Sequence, residues 1–174
     1  VRLLSPSLRR LALTVHIVVA VGWLGAVLSF LALAVTGLVG SAAQTVRAAY
    51  LAASVITGAV IVPVSLAALL SGLVMALGTP WGLVRHYWVL VKFLLTVVAV
   101  ALLLLHTQPI GLVATVAAER PLAPAELQRV RIRIAADAGA AVVLLLTTTT
   151  LSVDKPRGLT PFGQRARRRR VSAS

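Results

Sequence analysis

Cysteine is absent from the 174 residues, and methionine occurs once, at Met75. Without thiols there can be no disulfide, no cysteine-held zinc and no cysteine-held iron–sulfur cluster, and a single thioether cannot build a methionine-rich copper site. Histidine occurs three times, so any metal must be held by His16, His86, His106 or a few oxygen ligands. Acid is also scarce, with 4 Asp and Glu against 17 Lys and Arg. Asp137 is the one carboxylate expected near a membrane span, and it falls near the outer end, which argues against a proton-coupled transporter acting alone. What the chain does have is apolar: 59% of its residues are hydrophobic and its mean hydropathy is +0.99. These residues are gathered into runs longer than a soluble core helix needs, which marks an integral membrane protein. In such a protein the net charge of +13 points to the lipid bilayer and its anionic head groups rather than to nucleic acid.

Along the chain, Arg2, Arg9 and Arg10 precede a first apolar run, with Ser5-Pro6-Ser7 as a helix entry. The run from Leu11 to Val39 is too long for a signal-peptide core and predicts a retained span. His16, Trp23 and Phe30 lie seven apart on one face of it, and Gly22 and Gly25 would permit close helix contact. A second span follows Gln44, Arg47 and Tyr50. It contains Pro63, which predicts a kink between Thr57 and Pro63, with Thr57, Ser65 and Ser71 able to satisfy freed backbone groups. The polar stretch Thr107 to Arg133 predicts the main extramembrane loop. Arg133 and Asp137 stand at i, i+4 on the fourth span, which Thr147 to Thr150 are expected to end. The predicted fold is therefore an all-α, polytopic four-helix membrane bundle. Its spans are about 11–39, 48–77, 88–106 and 134–151 within a domain 1–154, followed by a basic disordered tail 155–174.

Most of the chain's polar chemistry lies between Trp81 and His106. Trp81, Tyr87 and Trp88 form an aromatic belt, and Lys92 follows inside the span, roughly 6 Å beyond Trp88. The arginine-rich tail and N-terminus share one side with the loop after span two, so the charge asymmetry predicts N-in and C-in. His16 then lies roughly 8 Å beyond Leu11 from the same side, at the level of Lys92. His106 is about 27 Å from Trp88, so it cannot join His16 on one metal. Lys92 has two readings: its ammonium snorkels to lipid phosphate, or it turns inward to a site. His16 likewise either ligates or relays protons, or simply satisfies a neighbouring helix. His86, at the interface beside Arg85, is either solvated or the one histidine close enough in depth to join His16.

The stretch H-I-V-V-A-V-G-W-L-G-A, His16 to Ala26, resembles the first-helix motif of the membrane superfamily that includes the copper-resistance CopD and haem-associated HemJ proteins. Y-W-V-L-V-K-F-L-L-T-V, Tyr87 to Val97, is similar to the HemJ motif whose lysine acts with the first-helix histidine. The longer pattern from Gly78 to Lys92 looks closer to predicted bacterial integral membrane proteins of unknown function. This resemblance implies a multi-pass protein of the bacterial plasma membrane and haem b as cofactor. It further implies His16 as the iron ligand, Lys92 as partner of a propionate, and Trp23, Trp88 and His86 around the same site. Few charged residues surround the pair, and the copper ligands of CopD are missing. The alternative function is a non-enzymatic scaffold or small transporter subunit, acting as a homo-oligomer or with a membrane partner, in which the same residues only pack and anchor.

Overall fold

The computed structural model describes residues 5–78, 83, 86–119, 125–154, 160, 161 and 164, and for 106–119 and 125–127 the backbone alone. Trp81, Arg85 and the arginines at 165 and 167–170 therefore lie outside the described residues, as does the side chain of His106. Five α-helices make four spans: α1 (Pro6–Val39), α2 (Ala43–Ile56) continuing through a π turn (Thr57–Ile61) into α3 (Val62–Gly78), α4 (Tyr87–Glu119) and α5 (Ala125–Asp154). Pro6–Val39, Ala43–Gly78, Tyr87–Leu105 and Gln128–Asp154 are each long and apolar enough to cross a membrane. Their outward faces fit that solvent: Leu11, Ile17, Val18 and Val21 of α1, Leu70 of α3, Leu105 of α4 and Val143 of α5 are all exposed. Helices that are apolar on every side bury nothing by facing water and are at home in hydrocarbon.

α1 packs on α2, α3 and α5, and α4 packs on the same three, so the spans close a four-sided bundle with chain neighbours side by side. The core joins Trp23, Val27, Phe30 and Ala34 of α1 to Tyr50, Ala53 and Ile61 of span two, with Val100, Ile134, Ala138 and Leu145 opposite. Trp23 and Phe30, on the shared face predicted for them, both point into the core. Gly22 and Gly25 do not make the close contact expected, since a Cβ at either would meet nothing within 4 Å. Close approach occurs instead at Gly37, where a Cβ would stand 2.6 Å from the Tyr50 ring, and at Gly72, where it would stand 3.3 Å from the His16 ring.

Local chemistry explains the helix ends and the irregularity. Ser5 caps α1, its hydroxyl accepting from Leu8 N, with Pro6 in the first turn, where a missing N–H leaves no gap. The kink predicted from Pro63 is a π turn. Val62 N donates to Thr57 O, five residues back, which widens the turn just ahead of the proline ring. Thr57 donates to Ala53 O at 2.7 Å and Ser65 to Val62 O at 2.8 Å, so both hydroxyls serve the backbone there. Two boundaries differ from expectation. α4 runs through Pro109 to Glu119 and α5 begins at Ala125, so most of the predicted loop is helix. Thr147, Thr148, Thr149 and Thr150 each donate to a carbonyl three or four residues back, and α5 passes through them to Asp154. Within the stretch expected as tail, Thr160 is buried and its carbonyl accepts from Gln164 N.

Candidate functional site

His16 and Lys92 sit toward the same end of the bundle, each joined to a serine of an adjacent span. α1 presents His16 beside α3, where its Nδ1 is 2.9 Å from Ser71 Oγ. Ser71 Oγ also donates to Ala68 O at 3.1 Å. A hydroxyl has one hydrogen, so with that hydrogen on Ala68 O the contact to His16 is made by Nδ1–H, and the imidazole carries its lone pair at Nε2. The small Gly72 lets the ring lie against the α3 backbone. His16 is half-buried, and Nε2 makes no hydrogen bond among the described residues.

Lys92 lies between α4 and α5, its Nζ donating to Ser152 Oγ at 2.6 Å. Ser152 in turn donates to Thr148 O, so its oxygen accepts from the ammonium while its hydrogen is used within α5. An ammonium carries three donors, and Ser152 takes one. No ion pair joins Lys92 to an acid among the described residues. His16, Ser71, Lys92 and Ser152 thus give one polar residue from each of the four spans at one end of the bundle. Inward placement of Lys92 agrees with the second of its two sequence readings, because Ser152 belongs to the protein and not to lipid.

The other residues predicted for this site are dispersed. Trp23 is buried in the core, two helical turns from His16 along α1. Trp88 is half-buried on α4, one turn before Lys92. His86 immediately precedes α4, and its carbonyl accepts from Leu90 N. No group of three or more His, Cys, Asp or Glu residues able to hold a metal forms among the described residues. His16 remains the candidate ligand at that end of the bundle, in the manner of a single axial ligand of a porphyrin iron. The donor types fit such a group: an imidazole oriented through Nδ1 with Nε2 available, and a cation at the same end of the bundle. Enclosed space does not. A cavity of about 190 Å³ lies farther along the bundle, walled by Trp23, Phe30, Thr57, Ala99, Ala138 and Leu145, and is smaller than the roughly 300 Å³ at the low end for drug-sized ligands. A porphyrin would have to lie at the half-exposed edge of His16.

A second polar cluster, not anticipated from sequence, occupies the far end. Arg131 donates through Nη2 to Gly37 O and to Leu38 O, the latter at 3.2 Å. These carbonyls belong to the last turn of α1, which has no further helix to accept from. The guanidinium carbon stands 6.0 Å from the centroid of the Tyr50 ring, and Tyr50 is 1% exposed. Tyr50 Oη and Arg131 Nε are both buried without a hydrogen-bond partner. Arg133 and Asp137 form the expected pair, 3.7 Å apart on the surface of α5. No family model, curated protein or solved structure matches the chain. Its architecture and paired polar groups are what define it: an all-helical bundle of four membrane-length spans with a histidine and a lysine at one end.

Proposed function

We propose that the protein is a haem- or porphyrin-associated membrane protein in which His16 Nε2 supplies the iron ligand and Lys92 pairs with a propionate. The observation that carries this reading is the placement of His16, held by Ser71, at the same end of the bundle as Lys92, which is held by Ser152 and has no acidic partner among the described residues. Resemblance of the His16 and Lys92 segments to the HemJ motifs supports the same pair. Ser71 orients the imidazole, Ser152 holds the ammonium in the bundle, and the half-exposed ring edge admits a planar group from the side. When bound, haem supplies one-electron chemistry at iron. The test is the absorption spectrum of the protein purified in detergent from haem-replete cells. A Soret band that His16→Ala abolishes and Lys92→Met weakens is the expected result, and a spectrum without it overturns the reading.

The scaffold reading is favoured by a different observation. The same two hydrogen bonds tie α1 to α3 and α4 to α5, so both polar side chains could serve packing alone. A protein without a Soret band that loses stability on Ser71→Ala and Ser152→Ala would establish it. In either case we place the chain in the bacterial plasma membrane, N-in and C-in, with the basic tail against anionic lipid, as the arginine asymmetry directs. The lack of native cysteine makes topology direct to read. Cysteines introduced at Ser5, Ala125 and Ser172 should react with an impermeant reagent from outside only at Ala125, and labelling at Ser172 in intact cells reverses the orientation.

A further inference from the structure

The cavity along the bundle has a chemistry distinct from the His16 end. It is bounded by α1, the π turn, α4 and α5. Thr57, the one hydroxyl in its wall, already donates to Ala53 O. Neither of the buried unpartnered polar atoms, on Tyr50 and Arg131, belongs to a residue that lines it. Apart from Arg133 and Asp137 at one end, the wall is apolar and suits hydrocarbon; about 150 Å³ of apolar space is enough for a benzene ring. Its lining is longest along α5 and shorter on the other helices, about 10 Å on α1 and about 6 Å on α4. Along α5 the lining runs from Val130 to Leu145, about 22 Å at 1.5 Å per residue, against roughly 15 Å for the hydrocarbon depth of one leaflet. Its mouth lies between α4 and α5, where Leu102, 47% exposed, and the exposed Ala140 line the cavity and also face outward. Small side chains at Ala99, Ala138 and Ala141 make the room, and the π turn brings Thr57 and Ile61 to the opposite wall, an irregularity found often at functional sites.

We propose that this cavity binds one linear hydrocarbon chain of a membrane lipid, which enters between α4 and α5. Its polar end lies at the level of Arg133 and Asp137, the two charged residues on the rim. The occupant is a hydrocarbon chain with a polar end because the wall is apolar along α1, α4 and most of α5 and carries its two charged residues, Arg133 and Asp137, toward one end of the α5 lining. It comes from the bilayer because the mouth opens on an apolar flank of the bundle.

Trp23 supplies the reporter, since it lines the cavity and is 5% exposed. With Trp81→Phe and Trp88→Phe it becomes the sole tryptophan, and bromine on an acyl chain quenches indole emission at short range. In nanodiscs of phosphatidylcholine brominated at mid-chain, the emission of Trp23 should fall to less than half of that in the unbrominated lipid. Filling the wall with Ala141→Phe, or from the opposite helix with the smaller change Ala99→Leu, should restore at least half of the lost emission without lowering the thermal midpoint. Equal emission in the two lipids overturns the proposal. Quenching that persists in a folded filled variant also overturns it, because the bromine then acts from outside the bundle.

Discussion

At one end of the bundle Lys92 reaches the hydroxyl of Ser152; at the other Arg131 reaches the carbonyls of Gly37 and Leu38. Both are cations in an apolar protein, and neither forms an ion pair with an acid among the described residues. The difference lies in what each partner would do alone. Ser152 keeps its bond to Thr148 O whether or not Lys92 is present, so the ammonium is an addition to a satisfied helix. The carbonyls at the end of α1 have no intrahelical donors, so the guanidinium completes a helix that would otherwise end unsatisfied. Arginine suits the second task because its planar fork spans two acceptors while its face lies near an aromatic ring, and lysine suits the first because a single hydroxyl leaves other donors available. The Arg131 end is a structural lock, and the Lys92 end is an open valence.

That contrast is most easily broken by Arg131→Ala, which removes charged hydrogen bonds worth about 1.5–3 kcal/mol and exposes the end of α1. We expect the largest loss here, about 2–4 kcal/mol, measured by thermal unfolding in neutral detergent, with Arg131→Lys recovering only part of it. Gly37→Ala should follow, at about 1–3 kcal/mol, because the new methyl group would stand 2.6 Å from the Tyr50 ring. Its companion Tyr50→Phe should leave stability unchanged or raise it, since the hydroxyl removed is buried without a partner. A loss above about 1 kcal/mol would show that the hydroxyl is satisfied in the protein. Ser71→Ala is expected to lower stability by about 1 kcal/mol and, in a haem-loaded preparation, to shift the Soret maximum by releasing the His16 ring. Lys92→Met should have the smallest effect on unfolding, within about 1 kcal/mol, because one hydrogen bond is exchanged for relief of a buried charge. A Lys92→Met loss as large as that of Arg131→Ala would erase the distinction between the two ends.

The four spans were legible because apolar runs of membrane length announce themselves, although α4 continues well past the expected end at 106 and α5 begins well before 134, and Pro63 announced the irregularity at Thr57–Ile61. Counting residues set His16 and Lys92 at one level, and each bonds a serine of a neighbouring span. What counting cannot supply is azimuth between helices. Ser71 was readable as a hydroxyl able to serve its own backbone, and it does, yet nothing in its spacing says that α1 brings His16 to it. Ser152 gave no signal, because a serine near a helix end is common. Arg131 was hidden among Arg129 and Arg133 in a stretch that read as loop. Its distinguishing feature is the pairing with Tyr50 and the end of α1, eighty or more residues earlier, and periodicity within one helix cannot encode a partner in another.

The π turn has a consequence well beyond its own five residues. A turn closed five residues back instead of four accommodates one residue more than the regular helix, and each residue in an α-helix advances the azimuth by about 100°. Everything after Ile61 in span two is therefore out of phase with everything before Thr57. Tyr50 and Ala53 face the core in one phase, whereas Ser71 and Gly72 face His16 in the other. Deleting one residue from Thr57–Ile61 would restore an unbroken helix and swing Ser71 about a quarter turn away from the histidine. The span thus works as two keys cut at different angles on one shaft, and the orientation of an imidazole near one end of the bundle is set by an extra residue near the middle of the span.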